Sequence, residues 1–218
     1  MPNVLDLRRR IRSVKNTQQI TRAMKMVAAA RMRRAQERVH SARPYVEQMR
    51  ALLSSVAART EDRSHPLLVE RPIGKTLLVL ITADRGLAGA FNANLARAAQ
   101  KYLNENPNLD VRIIAAGRKG RDLFRKRGVH MEGEYVNLFQ RRVEFSSARQ
   151  LASQILELYS NRSVDAVDLI YNEFKSLLGA NLKVDRFLPL KPAEPAHGET
   201  AVDYIYEQPP AEILNHLL

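Results

Sequence analysis

From Leu7 to Val56 apolar or small side chains return at alternating steps of three and four residues. The stripe runs through Leu7, Ile11, Val14, Ala28, Met32, Ala35, Val39, Ala42, Val46, Met49, Leu53 and Val56, with Gln18, Thr21 and Lys25 as polar interruptions. A seam with that spacing predicts one strand of a coiled coil, because an average step of 3.5 residues keeps one stripe facing a partner helix. Nothing later in the chain repeats the pattern, so the partner strand is missing. No glycine precedes Gly74, and a continuous helix over this stretch would run roughly 80 Å at 1.5 Å per residue. Pro44 lies inside it, where the lost N–H and the clash with the His40 carbonyl cost about 3 kcal/mol. The seam keeps its register through Ala42 and Val46, which favours a kinked helix; the alternative is two helices folded as a hairpin.

Beyond the rod the pattern changes. A polar connector with Pro66, Pro72 and Gly74 leads into Thr76 to Ala83 (TLLVLITA), a continuous apolar run suited to a strand buried on both faces. A turn, DRGLAGAFN, precedes a helix from Asn92 to Leu103. Then follow a strand at Val111 to Ala116, a helix at Arg118 to Lys126, a helix at Ser146 to Tyr159, and strands at Ala166 to Phe174 and Leu182 to Leu190. Alternating strands and helices predict a mostly parallel sheet covered on both faces, and the last connection is too short for a crossover, so the final pair is antiparallel. The predicted fold class is α/β, a long N-terminal coiled-coil helix joined to a Rossmann-like domain. Its parts are the rod (1–60), a connector (61–75), the α/β domain (76–190), a proline-rich irregular segment (191–210) with a short apolar run at Val202 to Tyr206, and a helix begun at 211–218 after Pro209-Pro210. That last helix carries no stop signal and is the one candidate for the missing strand.

The middle of the rod is apolar nearly all round. Ile20, Ala23, Met24, Met26, Val27, Ala28, Ala29 and Ala30 occupy most of the circumference, bracketed by Arg22, Arg31, Arg33 and Arg34. A helix of that kind is enclosed by other protein, and the arginines require an enclosing surface with acidic groups beside apolar ones. Charge follows the same division: of the net +12, residues 1–63 carry +10 and residues 64–218 carry +2. Thirteen of the fifteen cations in the first segment are arginine, a planar fork suited to carboxylate or phosphate, so acidic protein and nucleic acid are both open as partners.

Candidate chemistry is sparse. Gly74-Lys75-Thr76 has the end of a P-loop but precedes its strand instead of following it, and Val69 stands where the first glycine belongs. Gly86 and Gly89 lie where open α/β sheets bind phosphates, without the GxGxxG spacing; a tight turn needs the same glycines. Ala116-Gly117-Arg118-Lys119-Gly120 reads as a helix start. Asp84, at a strand end beside Arg85, reads as structural. His40, His65, His130, His197 and His216 share no metal-ligand spacing, and there is no cysteine. No cofactor is expected and no active site stands out. No run of about 18 apolar residues and no secretory h-region are visible, which fits a bacterial cytoplasmic origin. A basic stretch from Arg8 to Arg34 ahead of an apolar seam also has the layout of a basic zipper, although Met24, Met26 and Val27 would then face phosphate and Pro44 would interrupt the zipper.

Taken in order, TQQITRAMKMVAAARMRRAQ, ITADRGLAGAFN, AAGRKGRD, YNEFKS and YIYEQPPAEIL resemble the gamma subunit of F-type ATP synthase over the whole chain, with mild departures at Ala83 and Ala88. Family members continue for one more long helix, paired antiparallel with the first, so the resemblance implies a C-terminal helix cut short at Leu218. It implies a non-catalytic rotor: a coiled-coil shaft inside a hexamer of alpha and beta subunits, and an α/β foot joining the epsilon subunit and the c-ring on the cytoplasmic side of a bacterial inner membrane. Carried over, Met24, Lys25, Val27, Ala28, Arg31, Arg33 and Arg34 are expected to contact the hexamer, and Tyr204 and Tyr206 to face epsilon or the c-ring.

Overall fold

The structure, a computed structural model, describes residues 3–59, 65–138, 144–176, 179–190, 209 and 212–214. It divides into two compact units, Met1–Ser55 and Val56–Leu218.

The first unit is almost entirely helix α1, Val4–Arg59, begun at Asn3, whose Oδ1 accepts the Leu5 N–H at 3.5 Å. The helix passes through Pro44 without interruption, which removes the hairpin alternative: one lost backbone bond is a local cost, and both flanking segments are helical by sequence. At 1.5 Å per residue its 56 residues rise about 84 Å.

The second unit is an open α/β sheet. Its elements are β1 (Lys75–Ile81), α2 (Phe91–Glu105), β2 (Asp110–Ala116), α3 (Arg118–Lys126), β3 (Met131–Tyr135), α4 (Phe145–Ser160), β4 (Ala166–Phe174) and β5 (Ala180–Leu188). The strand order is β3-β2-β1-β4-β5, parallel except for the antiparallel pair β4–β5. Central β1 has Leu77, Leu78, Val79 and Leu80 wholly buried, each worth roughly 2 kcal/mol of gross burial. Its alternation splits the core in two. Leu77 and Val79 pack with Ile114, Val167, Ile155 and Tyr159 beneath α4. Leu78 and Leu80 pack with Ile113, Ile170, Leu95 and Phe124 beneath α2 and α3.

Strand β3 is absent from the elements expected from the sequence. MEGEY has two glutamates and a glycine in five residues, with neither the continuous run of a buried strand nor a clean alternation. It is held by tertiary contacts instead: Glu132 meets Arg112 at 2.7 Å, Glu134 meets Arg125 at 2.7 Å, and the Glu132 carbonyl accepts Gln154 Nε2 at 3.1 Å. At the far end Glu212–Leu214 is helical and Leu214 is buried, with the Glu212 N–H on the Pro209 carbonyl.

Candidate interaction surfaces

At the carboxyl edge of the sheet, the usual ligand crevice of this architecture, the protein's own groups bond to one another. Asp84, only 6 % exposed just past β1, accepts the N–H of Arg118 at 3.0 Å and of Asn137 at 2.8 Å on Oδ1. One carboxylate thus ties the start of α3 and the turn after β3 to the end of β1. The Lys119 N–H donates to the Ala83 carbonyl at 3.1 Å, the Gly120 N–H to Thr82 Oγ1 at 2.8 Å and the Arg121 N–H to the Gly117 carbonyl at 3.2 Å. The opening amides of α3, which a phosphate would need, are all engaged within the chain. The glycine at 117 serves close approach: its φ is +114°, and a Cβ there would lie 2.2 Å from the Thr82 carbonyl oxygen. The turn after β1 is bridged by Asn92, whose Oδ1 accepts the Ala83 N–H at 3.0 Å and whose Nδ2 donates to the Arg85 carbonyl at 3.4 Å.

The P-loop look-alike is bound in the same manner. Asp165 Oδ2 accepts the N–H groups of Gly74 and Lys75 at 3.0 and 2.8 Å, and these bonds, the one from Lys75 above all, hold its carboxyl below the usual range. Asp168, buried in β4, takes the Tyr102 hydroxyl and Arg186 Nε, both at 2.5 Å. Burial, then the adjoining Asp168 carboxylate, drives the Tyr102 phenol well above its ordinary value. The one sequence signal for this triad is a lone carboxylate in the apolar run AVDLIY. Among the described residues no cluster of three His, Cys, Asp or Glu is placed to hold a metal. An open groove of about 670 Å³ between α2 and α3 is lined by Ala93, Ala96 and Leu123 together with polar residues that include Arg97, Gln100 and Arg127, and Arg127 already donates to Gln100 Oε1.

The feature that demands an explanation is α1. Ile20, Met24, Met26, Val27 and Met32 are 61, 50, 63, 53 and 49 % exposed, an apolar collar that water disfavours. Helical spacing brings Met24, Val27, Ala28 and Arg31 onto one stripe, at i, i+3, i+4 and i+7. It puts Lys25 and Arg34 on the two flanks of that stripe and Arg33 on the opposite side, so the seven predicted contact residues surround the rod instead of sharing a face. All seven are exposed. Arg33 Nε reaches Glu37 Oε1 at 3.2 Å across an exposed helical turn, a pair worth only about 0.3–0.5 kcal/mol. The cations of the collar are therefore available to an outside partner at little internal cost. Tyr204 and Tyr206 lie outside the described residues. No helix among the described residues is long and apolar enough to cross a membrane.

A family model described as ATP synthase matches residues 3–218. An ATP synthase gamma chain of Solibacter usitatus (strain Ellin6076) is 49% identical over 222 residues, covering 100% of this chain and 76% of its own length. One from Chlorobaculum parvum (strain DSM 263 / NCIMB 8327) is 42% identical over 224 residues with the same coverage. Among solved structures, a chain in the central stalk and c-ring of Tetrahymena thermophila mitochondrial ATP synthase superposes with TM-score 0.64 at 24% identity, over 90% of this chain and 84% of that one. A chain in the rotor of Euglena gracilis mitochondrial ATP synthase gives 0.56, also at 24% identity, over 84% and 62%. At those identities the structural likeness speaks for the fold.

Proposed function

The chain belongs to the ATP synthase gamma family, and from that premise we propose that it works as the central-stalk rotor, carrying torque between a proton-driven membrane ring and the catalytic alpha/beta hexamer. The observation that carries this reading is the exposed collar on α1. A rod that is apolar most of the way round and studded with arginine needs a sleeve with apolar and acidic surface, and the centre of a ring of subunits supplies one. Met24, Lys25, Val27, Ala28, Arg31, Arg33 and Arg34 are the residues proposed to face that sleeve. Their distribution around the helix suits a shaft that presents each side to the ring in turn, where a fixed interface would need one face. The alanines at 28–30 keep the surface shallow so that side chains do not interlock, and the arginines supply longer-range attraction.

The α/β unit is the foot. It contributes binding surface and no chemistry: Asp84 and the first amides of α3 are consumed in holding the sheet's carboxyl edge together. Epsilon and the c-ring are the proposed partners there, with Tyr204 and Tyr206 among the contacts. The subunit thus sits peripherally, on the cytoplasmic side of a bacterial inner membrane. No observation favours the nucleic-acid alternative.

The test is Ala29→Trp in the assembled ATP synthase. A bulky ring in the collar should slow bead-observed rotation and ATP turnover by tenfold or more while the subunits still copurify. Rotation at the wild-type rate would sink the enclosed-shaft assignment.

A further inference from the structure

If the foot delivers torque, the chain between shaft and sheet must not stretch. Residues 65–73 form no regular element. Loose, such a segment could pay out up to about 30 Å at 3.3–3.6 Å per residue, and twist in the shaft would be lost in slack. The segment is fastened at three levels. Leu67 is 7 % exposed within the core beneath α4, and its carbonyl accepts the Leu190 N–H at 2.8 Å. The chain leaving β5 toward the C-terminal segment is therefore bonded to the chain arriving from α1. Next, the Arg71 guanidinium carbon lies 4.7 Å from the ring centroid of Tyr159, its Nη1 donates to the Tyr159 carbonyl at 3.2 Å, and its Nη2 donates to the Pro66 carbonyl at 3.5 Å. Tyr159 is wholly buried, and its hydroxyl donates to the Val69 carbonyl at 3.3 Å. Finally, Asp165 holds the Gly74 and Lys75 amides as the segment becomes β1.

We propose that residues 65–75 are a torque clip in which Arg71, clamped on Tyr159, locks the inbound chain to the foot so that shaft rotation turns the sheet without peeling the connector. This rests on the rotor reading and assigns a positioning role to Arg71 within it. The arrangement suits a mechanical joint. A planar guanidinium with one bond forward to α4 and one back to Pro66 closes a loop on its own segment, and the cation also sits at the carbonyl-rich end of α4. Pulling the connector away must break the Arg71 bond to the Tyr159 carbonyl, the cation–π contact and the Tyr159–Val69 bond together, because they share one side-chain pair, while the bond to Pro66 keeps the connector's own loop closed.

The experiment uses the complete ATP synthase in membrane vesicles, carrying Arg71→Ala or Tyr159→Phe. Arg71→Ala should leave ATP hydrolysis within about twofold of wild type and lower ATP-driven proton pumping per ATP by threefold or more, with reduced torsional stiffness in bead assays. Tyr159→Phe, which keeps the buried ring and removes only the bond to Val69, should show the same stiffness change in smaller measure, and it decides the matter if Arg71→Ala fails to assemble. A merely structural role would lower complex yield and leave pumping per ATP and stiffness in the assembled fraction unchanged, which overturns the clip. A wild-type complex whose bead does not rotate overturns the rotor reading beneath it, so the two failures are distinguishable.

Discussion

A polypeptide of these 218 residues should associate through its own seam. Leu7, Ile11, Val14, Met32, Val39 and Val46 stand 46, 55, 67, 49, 39 and 50 % exposed. Burying such a side chain completely is worth about 1.5–3 kcal/mol, so covering the remaining half yields roughly 0.8–1.5 kcal/mol each. Six of them on each of two strands give about 9–18 kcal/mol. Against that stand about 4–15 kcal/mol of lost rotational and translational freedom and the repulsion of two basic segments. The polar seam positions Gln18, Thr21 and Lys25 contribute nothing to offset either. Taken at their midpoints these terms leave about 4 kcal/mol before the repulsion, a weak affinity on the order of millimolar. Because the opposing charge is exposed, association should tighten as salt rises from about 0.05 to 0.5 M and the screening length shrinks to a few ångströms. Sedimentation equilibrium and circular dichroism from about 10 µM to 2 mM should show mass and helicity rising together. Val39→Glu with Val46→Glu, which sets carboxylates into the seam, should return the monomer. A fully helical monomer at every concentration and salt would refute the reasoning, since the exposed seam would then need no partner.

Two further predictions concern the α/β unit. Gly117→Ala forces a Cβ to within 2.2 Å of the Thr82 carbonyl oxygen at a φ of +114° and should cost about 3–5 kcal/mol in urea unfolding. Gly128→Ala, also at positive φ but with nothing within 4 Å, should cost only about 1–2 kcal/mol; equal losses would show that the close approach to Thr82 is unimportant. Asp165→Asn should lose about 1 kcal/mol at pH 7 through weaker bonds to Gly74 and Lys75. The carboxyl's folded value is depressed below its ordinary 3.8, so its contribution is present above that value and is lost as pH falls through the lower, folded one. The stability gap between the two proteins should narrow as pH falls below 3.8, and a gap that stays constant with falling pH would remove the charge from the explanation.

The sheet was legible where burial is two-sided. TLLVLI makes up all of β1 but its first residue, and AVDLIY opens β4, both strands of the inner sheet. The edge strand β3 was not legible, because Glu132 and Glu134 enter it only through Arg112 and Arg125, partners 20 and 9 residues away that no local pattern announces. The same holds for Asp84. Its position at a strand end was visible, but its two amide donors, at the start of α3 and just past β3, lie 34 and 53 residues further along the chain.

The surfaces divide in the same way. The collar of α1 could be read from sequence because its signal is a mismatch within a single helix: too much apolar surface for water, too much arginine for a core. Spacing alone carries that contradiction, and it points outward to a partner. The clip could not be read, because Arg71 and Tyr159 stand 88 residues apart, and each by itself is an ordinary connector arginine and an ordinary core tyrosine. Only the fold brings a cation, a ring and three carbonyls to one place. A rotor needs both kinds of feature, a surface that fits a sleeve without gripping it and a joint that does not yield. Substitutions in the collar should therefore change how fast the shaft turns, and substitutions at Arg71 how much of each turn reaches the foot.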